Sequence, residues 1–371
     1  MRNKVVSLLL AVTLLLIAVS PAFAEGPSGD FEVIRAAAEK YLTTVKSPVI
    51  TADALYTLLN DGDASNDPFI LSVRKPEDYA LGHIPGAVNI FYKNIAKPEN
   101  LAKLPKDKQI VVYCYTGHTG QIATTVLNLL GYNAVNLKFG MMGWTKNDTV
   151  LATKRFGPDT DQRDYPLETK VNEATATYPY PTVSTGATGD FEIIRTAADN
   201  WLNTAKAPIV TADSVFENLN DGDASNNPVI VSVRTAEHYA LGHIPGAINI
   251  PWKDIAKPEN LAKLPPDKRI VVYCYTGHTG MIAATILGLL GYDAGNIKYG
   301  MMGWTKDDKV LAQPRYDVKT APDYPVEGSA VTAPTKLPVT GAETNLTWVV
   351  LVAGIAALLT GSALYAKRAA R

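Results

Sequence analysis

From Asp30 onward the chain alternates between two kinds of apolar pattern. Phe31, Ile34, Ala38, Leu42 and Val45 recur at helical spacing, and Asp30 stands where it could cap that helix. Short, mostly apolar runs of strand length follow at 48–50, 69–73, 87–90, 109–113 and 134–139. Between them lie segments of helical character: 52–59 behind a capping Thr51, a turn at 76–80, then 98–104, 121–130 and a turn at 141–146. Strands that are apolar on both faces and alternate with helices predict an α/β fold, a parallel sheet covered on both sides. Reactive groups of such sheets stand at the carboxyl ends of strands.

The whole pattern then repeats with a period of 160 residues. GDFE at Gly29 returns at Gly189, NDGDASN at Asn60 at Asn220, YALGHIPGA at Tyr79 at Tyr239, and GMMGWTK at Gly140 at Gly300. A period this long marks a duplicated domain, not a solenoid unit. The reading is two tandem domains, 25–173 and 188–325, joined by a linker at 174–187. The copies are so alike that their agreement counts as one observation made twice.

The two ends carry no domain pattern. Residues 1–4 are short and basic, 5–19 are apolar, and Ala22-Phe23-Ala24 is a small-x-small site before Glu25. This predicts a secretory signal peptide over 1–24, with an uncleaved membrane anchor as the alternative. After a stalk at 326–336 comes Leu337-Pro338-Val339-Thr340-Gly341, then an uncharged, mostly apolar run at 345–366 and a basic tail of Lys367, Arg368 and Arg371. That run has the length of about 20 residues that a helix needs to cross a bilayer. The order of the three parts resembles the cell-wall sorting signal of Gram-positive surface proteins. The resemblance implies a sortase that cuts between Thr340 and Gly341 and joins the chain to peptidoglycan. A plain C-terminal membrane anchor is the other reading. Both put the domains at the cell surface. Charge is balanced, with 35 Lys and Arg against 36 Asp and Glu, so nothing points to nucleic acid.

Chemistry concentrates in VVYCYTGHTG, found at 111–120 and again at 271–280. Cys114 and Cys274 are the only cysteines in 371 residues. Each follows an apolar strand and precedes a glycine-bearing loop and a helix. Such a loop turns backbone N–H groups and a helix N-terminus toward the sulfur, which favours a thiolate and binds anions. The two cysteines occupy equivalent places in separate domains, so each is expected to be a free thiol, although disulfides persist outside the cell.

These residues resemble the rhodanese family of sulfurtransferases. The resemblance rests on SVRKPEDYALGHIPGAVNI at 72–90, SVRTAEHYALGHIPGAINI at 232–250, and the strand–cysteine–loop–helix unit. It implies a five-stranded parallel sheet flanked by helices in each domain. It also implies that Cys114 and Cys274 attack a small sulfur anion such as thiosulfate, release sulfite, and pass the outer sulfur of a persulfide to a thiol or cyanide acceptor. Tyr115, Thr116, Gly117, His118, Thr119 and Gly120 would form the anion cradle, as would Tyr275, Thr276, Gly277, His278, Thr279 and Gly280 in the second copy. No cofactor and no metal ion is called for. A non-enzymatic sulfur carrier or surface binding module is the alternative on the same fold.

Three departures from the family pattern stand out. Ser72 and Ser232 occupy the place of the usual aspartate before Val-Arg, the second and third loop positions carry no cation, and both domains keep a cysteine. Residues 115–121 and 275–281 contain no arginine or lysine, which argues against a phosphatase or arsenate reductase clamp. His118 and His278 read equally as imidazolium groups aiding the thiolate or as solvent-facing side chains. His83, His243, Arg74 and Arg234 read as structural. NDGDASN reads as a polar turn, since it lacks the glycine and glutamate of a calcium loop.

Overall fold

A computed structural model describes residues 29–329. The signal peptide, the sorting motif and the apolar run at 345–366 lie outside the described residues. The first domain contains β1 (Val49–Ile50), β2 (Phe69–Ser72), β3 (Val88–Asn89), β4 (Ile110–Tyr113) and β5 (Ala134–Leu137), all parallel and in the order β1-β5-β4-β2-β3. The second repeats it with β6 (Ile209–Val210), β7 (Val229–Ser232), β8 (Ile248–Asn249), β9 (Ile270–Tyr273) and β10 (Ala294–Ile297), in the order β6-β10-β9-β7-β8. Burial explains the order. Every residue of β4, β5, β9 and β10 is buried, so these strands take inner positions, while β1, β3, β6 and β8 are two-residue edges with half-buried or exposed side chains. The strands that deliver Cys114 and Cys274 stand at the centre of each sheet.

Four longer helices join the two domains: α1 (Asp30–Thr44), α2 (His118–Leu129), α3 (Asp190–Thr204) and α4 (His278–Leu289), of which α2 and α4 follow the two cysteine loops. Two starts differ from the sequence pattern. Asp30 does not cap α1; Gly29 takes the cap position at φ 63°, and the Asp30 carboxylate accepts the Thr185 N–H and hydroxyl, both at 2.6 Å. Thr51 does cap its helix, accepting the Ala54 N–H at 3.2 Å. Helix α2 begins at His118, three residues before its apolar pattern, because Gly117 at φ 91° sets the turn.

The two domains do not merely sit in tandem. Helices α2 and α4 pack on each other, and α1 lies against α3 and against residues 252–254 of the second domain, as α3 lies against residues 92–94 of the first. One apolar core, with Ile34, Leu42, Ile122, Ile194, Ile282 and Leu287, therefore runs through both domains. The C-terminal tails are exchanged as well. Residues after 162 extend the first repeat covalently but complete the second in space. Arg163 pairs with Asp213 at 2.6 Å, Tyr165 stacks on Phe216 at 4.0 Å, Trp304 Nε1 donates to the Pro166 carbonyl, and Glu168 bridges to His243. Residues 324–327 return the arrangement: Tyr324 stacks on Tyr56 at 4.0 Å, Trp144 Nε1 donates to the Pro325 carbonyl, and Glu327 bridges to His83. Val326 and Glu327, read from the sequence as the start of a stalk, are thus packed on the first domain, with Val326 buried.

The exchange makes a prediction. Replacing Tyr324 by alanine removes an aromatic stack and the phenol's hydrogen bond to Asp53. The expected cost is about 2 kcal/mol, or a fall in unfolding midpoint of about 5 °C. An unchanged midpoint in scanning calorimetry would show that the tail does not hold the first domain.

Candidate active site

Cys114 is the first residue beyond β4, and its position is fixed on three sides. The Gly117 N–H donates to Cys114 Sγ at 3.2 Å. The Met141 and Met142 N–H groups donate to the Cys114 and Tyr115 carbonyls, both at 2.9 Å. Asn136 Nδ2, from inside β5, donates to the Gly117 carbonyl at 2.9 Å. Gly117 is needed where it stands: φ is 91°, and an added Cβ would run into His278 Nε2 and the Phe139 N–H. Gly140 is needed for closeness, because a Cβ there would meet the Cys114 carbonyl. The second site repeats the set, with Gly277 N–H to Cys274 Sγ at 3.2 Å, Met301 N–H to the Cys274 carbonyl at 2.9 Å and Asn296 Nδ2 to Gly277 at 3.0 Å. Both thiols are free and only 1 % exposed.

The remaining loop residues divide by task. Tyr115 points away from the sulfur, its phenol donating to Asp78 and accepting the Lys75 N–H at 3.1 Å; burial and the Asp78 carboxylate push it well above the usual phenol range. Tyr275 makes the corresponding tie to His238 Nδ1 at 2.7 Å and the Thr235 N–H at 3.2 Å. Thr119 and Thr279 are half-buried in the first helical turn, and Thr279 Oγ1 has no partner among the described residues. Gly120 and Gly280 let the helix approach the backbone N–H groups of Cys114 and Cys274 closely.

His118 and His278 follow neither sequence reading, since both are buried. His118 Nε2 accepts the Tyr299 N–H at 3.1 Å, and His278 Nε2 accepts the Phe139 N–H at 3.1 Å, each across the domain boundary. A backbone N–H can only donate, so Nε2 must carry the lone pair and Nδ1 the proton. Nδ1–H then donates to Thr116 or Thr276 at 3.0 Å. Burial holds both rings neutral, with His278 pushed down to about 3 and His118 also well below the ordinary histidine range. Lys138 and Lys298, half-buried beside the rings, add to the depression at His278 and His118 respectively.

Other sequence candidates lie outside this constellation. Arg74 is fully buried and donates to the Val150 and Gly82 carbonyls, and Arg234 to those of Val310 and Gly242. Neither guanidinium pairs with a carboxylate among the described residues. His83 and His243 stack on Tyr79 and Tyr239 and hold the carbonyls of those residues through Nδ1 at 2.9 Å. In NDGDASN the carboxylates accept from their own turn: Asp61 from the Asp63 N–H at 2.8 Å and Asp63 from the Ser65 N–H at 3.0 Å. Sequence reading missed Asn136, Asn296 and the trans partners Phe139 and Tyr299. A polar asparagine inside each otherwise apolar last strand was the visible signal.

The geometry can be set beside known proteins. The rhodanese-like domain family matches residues 51–147 and 211–307, just over half of the chain. A protein of Allochromatium vinosum named "Sulfurtransferase" is 31% identical over 84 residues, which span 22% of this chain and 77% of that one. The "HTH-type transcriptional regulator Rv0324" of Mycobacterium tuberculosis is 40% identical over 77 residues, 20% of this chain but only 33% of its own length. Among solved structures, a rhodanese-like domain protein of Staphylococcus aureus matches 25% of this chain and 86% of its own at 31% identity, with a TM-score of 0.23. With two matched segments a full period apart, the chain belongs to the rhodanese-like domain family and carries its domain twice.

Proposed function

We propose that the protein is a sulfurtransferase of the cell surface. It moves a sulfane sulfur from thiosulfate or polysulfide to a thiol or cyanide through persulfides on Cys114 and Cys274. The observation that carries this reading is the N–H of a left-handed glycine aimed at each sulfur, at the start of a buried twelve-residue helix. Such a donor stabilises an anion on sulfur without a metal or a cation. The thiolate attacks the outer sulfur of thiosulfate; the S–S bond to the sulfonate breaks, and its electron pair leaves with sulfite. The new S–S bond leaves the terminal sulfur as a persulfide anion. An acceptor thiolate or cyanide attacks that terminal sulfur, and the electron pair of the breaking bond restores the cysteine thiolate.

With each cysteine 1 % exposed, small donors and acceptors suit the site better than bulky ones. The surface location rests on residues 1–24 and on the Leu337–Gly341 motif with its apolar and basic sequel, which suit export and attachment to peptidoglycan by a sortase.

The test is mass spectrometry of the two cysteine peptides after incubation with thiosulfate and, separately, polysulfide. A gain of one sulfur on Cys114 or Cys274, discharged by cyanide as thiocyanate, is expected. Failure of both donors to load either cysteine would end the enzyme reading.

A further inference from the structure

We propose that the two active loops are positioned in trans: His278 holds the loop of Cys114, and His118 holds the loop of Cys274. Each imidazole belongs covalently to one site. Its Nδ1–H is tied to the threonine two residues back in its own loop, at 3.0 Å. Its Nε2, however, takes the N–H of Phe139 or Tyr299, in the opposite domain, at 3.1 Å.

Those two residues are not arbitrary surface points. Phe139 adopts φ 63° and opens the turn whose Met141 and Met142 N–H groups hold the carbonyls of Cys114 and Tyr115. Tyr299, at φ 65°, opens the matching turn behind Cys274. A left-handed φ at a bulky residue is strained and persists only where its surroundings enforce it. The crosswise bond from histidine supplies part of that enforcement.

The same ring also lies over the glycine whose N–H donates to the sulfur. An added Cβ at Gly117 would collide with His278 Nε2, and one at Gly277 would collide with His118 Nε2. So the opposite imidazole lies against the residue whose N–H binds the cysteine sulfur. The two rings are stacked, with centroids 6.1 Å apart and planes at 16°. The loops are therefore one interlocked unit. His118 and His278 are positioning residues for the opposite cysteine, since each acts through the backbone that surrounds the sulfur.

The proposal rests on the sulfurtransferase reading only for what the loops are used for, and its test does not need that reading. In the full chain, iodoacetamide alkylation of each cysteine is followed by peptide mass spectrometry across pH 5–10, which reports each thiolate separately. H278A is expected to slow alkylation of Cys114 at pH 7 about tenfold and to raise the midpoint of its rate–pH curve by about one unit. H118A should do the same to Cys274. H278Q, whose amide can accept from Phe139 and donate to Thr276, should restore the Cys114 profile. If H278A does not fold, H278M, of similar bulk but without a nitrogen acceptor, is compared with H278Q in its place.

An H278A profile altered at Cys274 alone, or a glutamine variant no better than alanine or methionine, overturns the proposal. If the crosswise pattern appears but neither cysteine takes sulfur from thiosulfate or polysulfide, the positioning role stands and the sulfurtransferase reading falls.

Discussion

Replacing both cysteines by serine, C114S with C274S, is expected to reduce thiocyanate formation from thiosulfate and cyanide to the uncatalysed rate, while the unfolding midpoint moves by less than about 5 °C. The two halves of this expectation have different causes. A serine hydroxyl is not ionised near neutral pH and cannot carry a transferable sulfur, so no persulfide forms. The fold barely notices, because a buried thiol behaves as a small apolar group and a serine oxygen still accepts the Gly117 or Gly277 N–H. The single variants should share the activity unequally. Tyr299 brings toward the first site a buried phenol beside Thr116; burial, Asp161 and Cys114 push that phenol upward. The second site has the bare ring of Phe139 at the same place. That polar group has no counterpart at the second site, so C274S, which keeps Cys114, is expected to retain a different share of the activity from C114S. Activity in the double variant equal to that of the unsubstituted chain would remove both cysteines from the mechanism.

Much of this site was legible in the chain itself. Runs apolar on both faces, alternating with helices, prescribe a covered parallel sheet, and the cysteine follows the wholly buried run Ile110–Tyr113. What the sequence concealed was which domain each tail completes. Asp164-Tyr165-Pro166-Leu167-Glu168 and Asp323-Tyr324-Pro325-Val326-Glu327 are nearly the same peptide, and Trp144 and Trp304 offer each the same carbonyl partner site. Docking on its own domain and docking on the other would form almost the same local contacts. Only the path of the chain in space decides between them, and a one-dimensional pattern holds no record of that path. The histidines were opaque for the same reason. A histidine in a glycine loop at a helix start looks exposed until a second copy of that loop is packed against it.

In acid the two domains are expected to lose stability together, beginning below about pH 6.5. Both buried imidazoles are neutral in the fold, with His278 pushed down to about 3 by burial and by Lys138, and His118 lowered by burial, His278 and Lys298. In the unfolded chain each returns to about 6.5. Between those values the unfolded state binds more protons than the folded one, so stability is complete above about pH 6.5 and falls as the pH drops toward the folded values. His278 alone gives a slope approaching about 1.4 kcal/mol per pH unit, about 2 kcal/mol lost by pH 5, and His118 adds to it in the same direction. Such a loss is a sizeable part of the 5–15 kcal/mol typical of a folded domain. Glu32 and Asp213, whose carboxyls are held below their usual range by Arg35 and Arg163, add their own losses only at lower pH. The window from pH 6.5 to 5 thus isolates the histidines. Urea unfolding across it should show the midpoint falling steeply in the native chain. The fall should be much shallower in H118Q with H278Q, where amides keep the crosswise bonds but do not titrate. Equal slopes in the two proteins would mean that the interlocked rings are not what acid breaks.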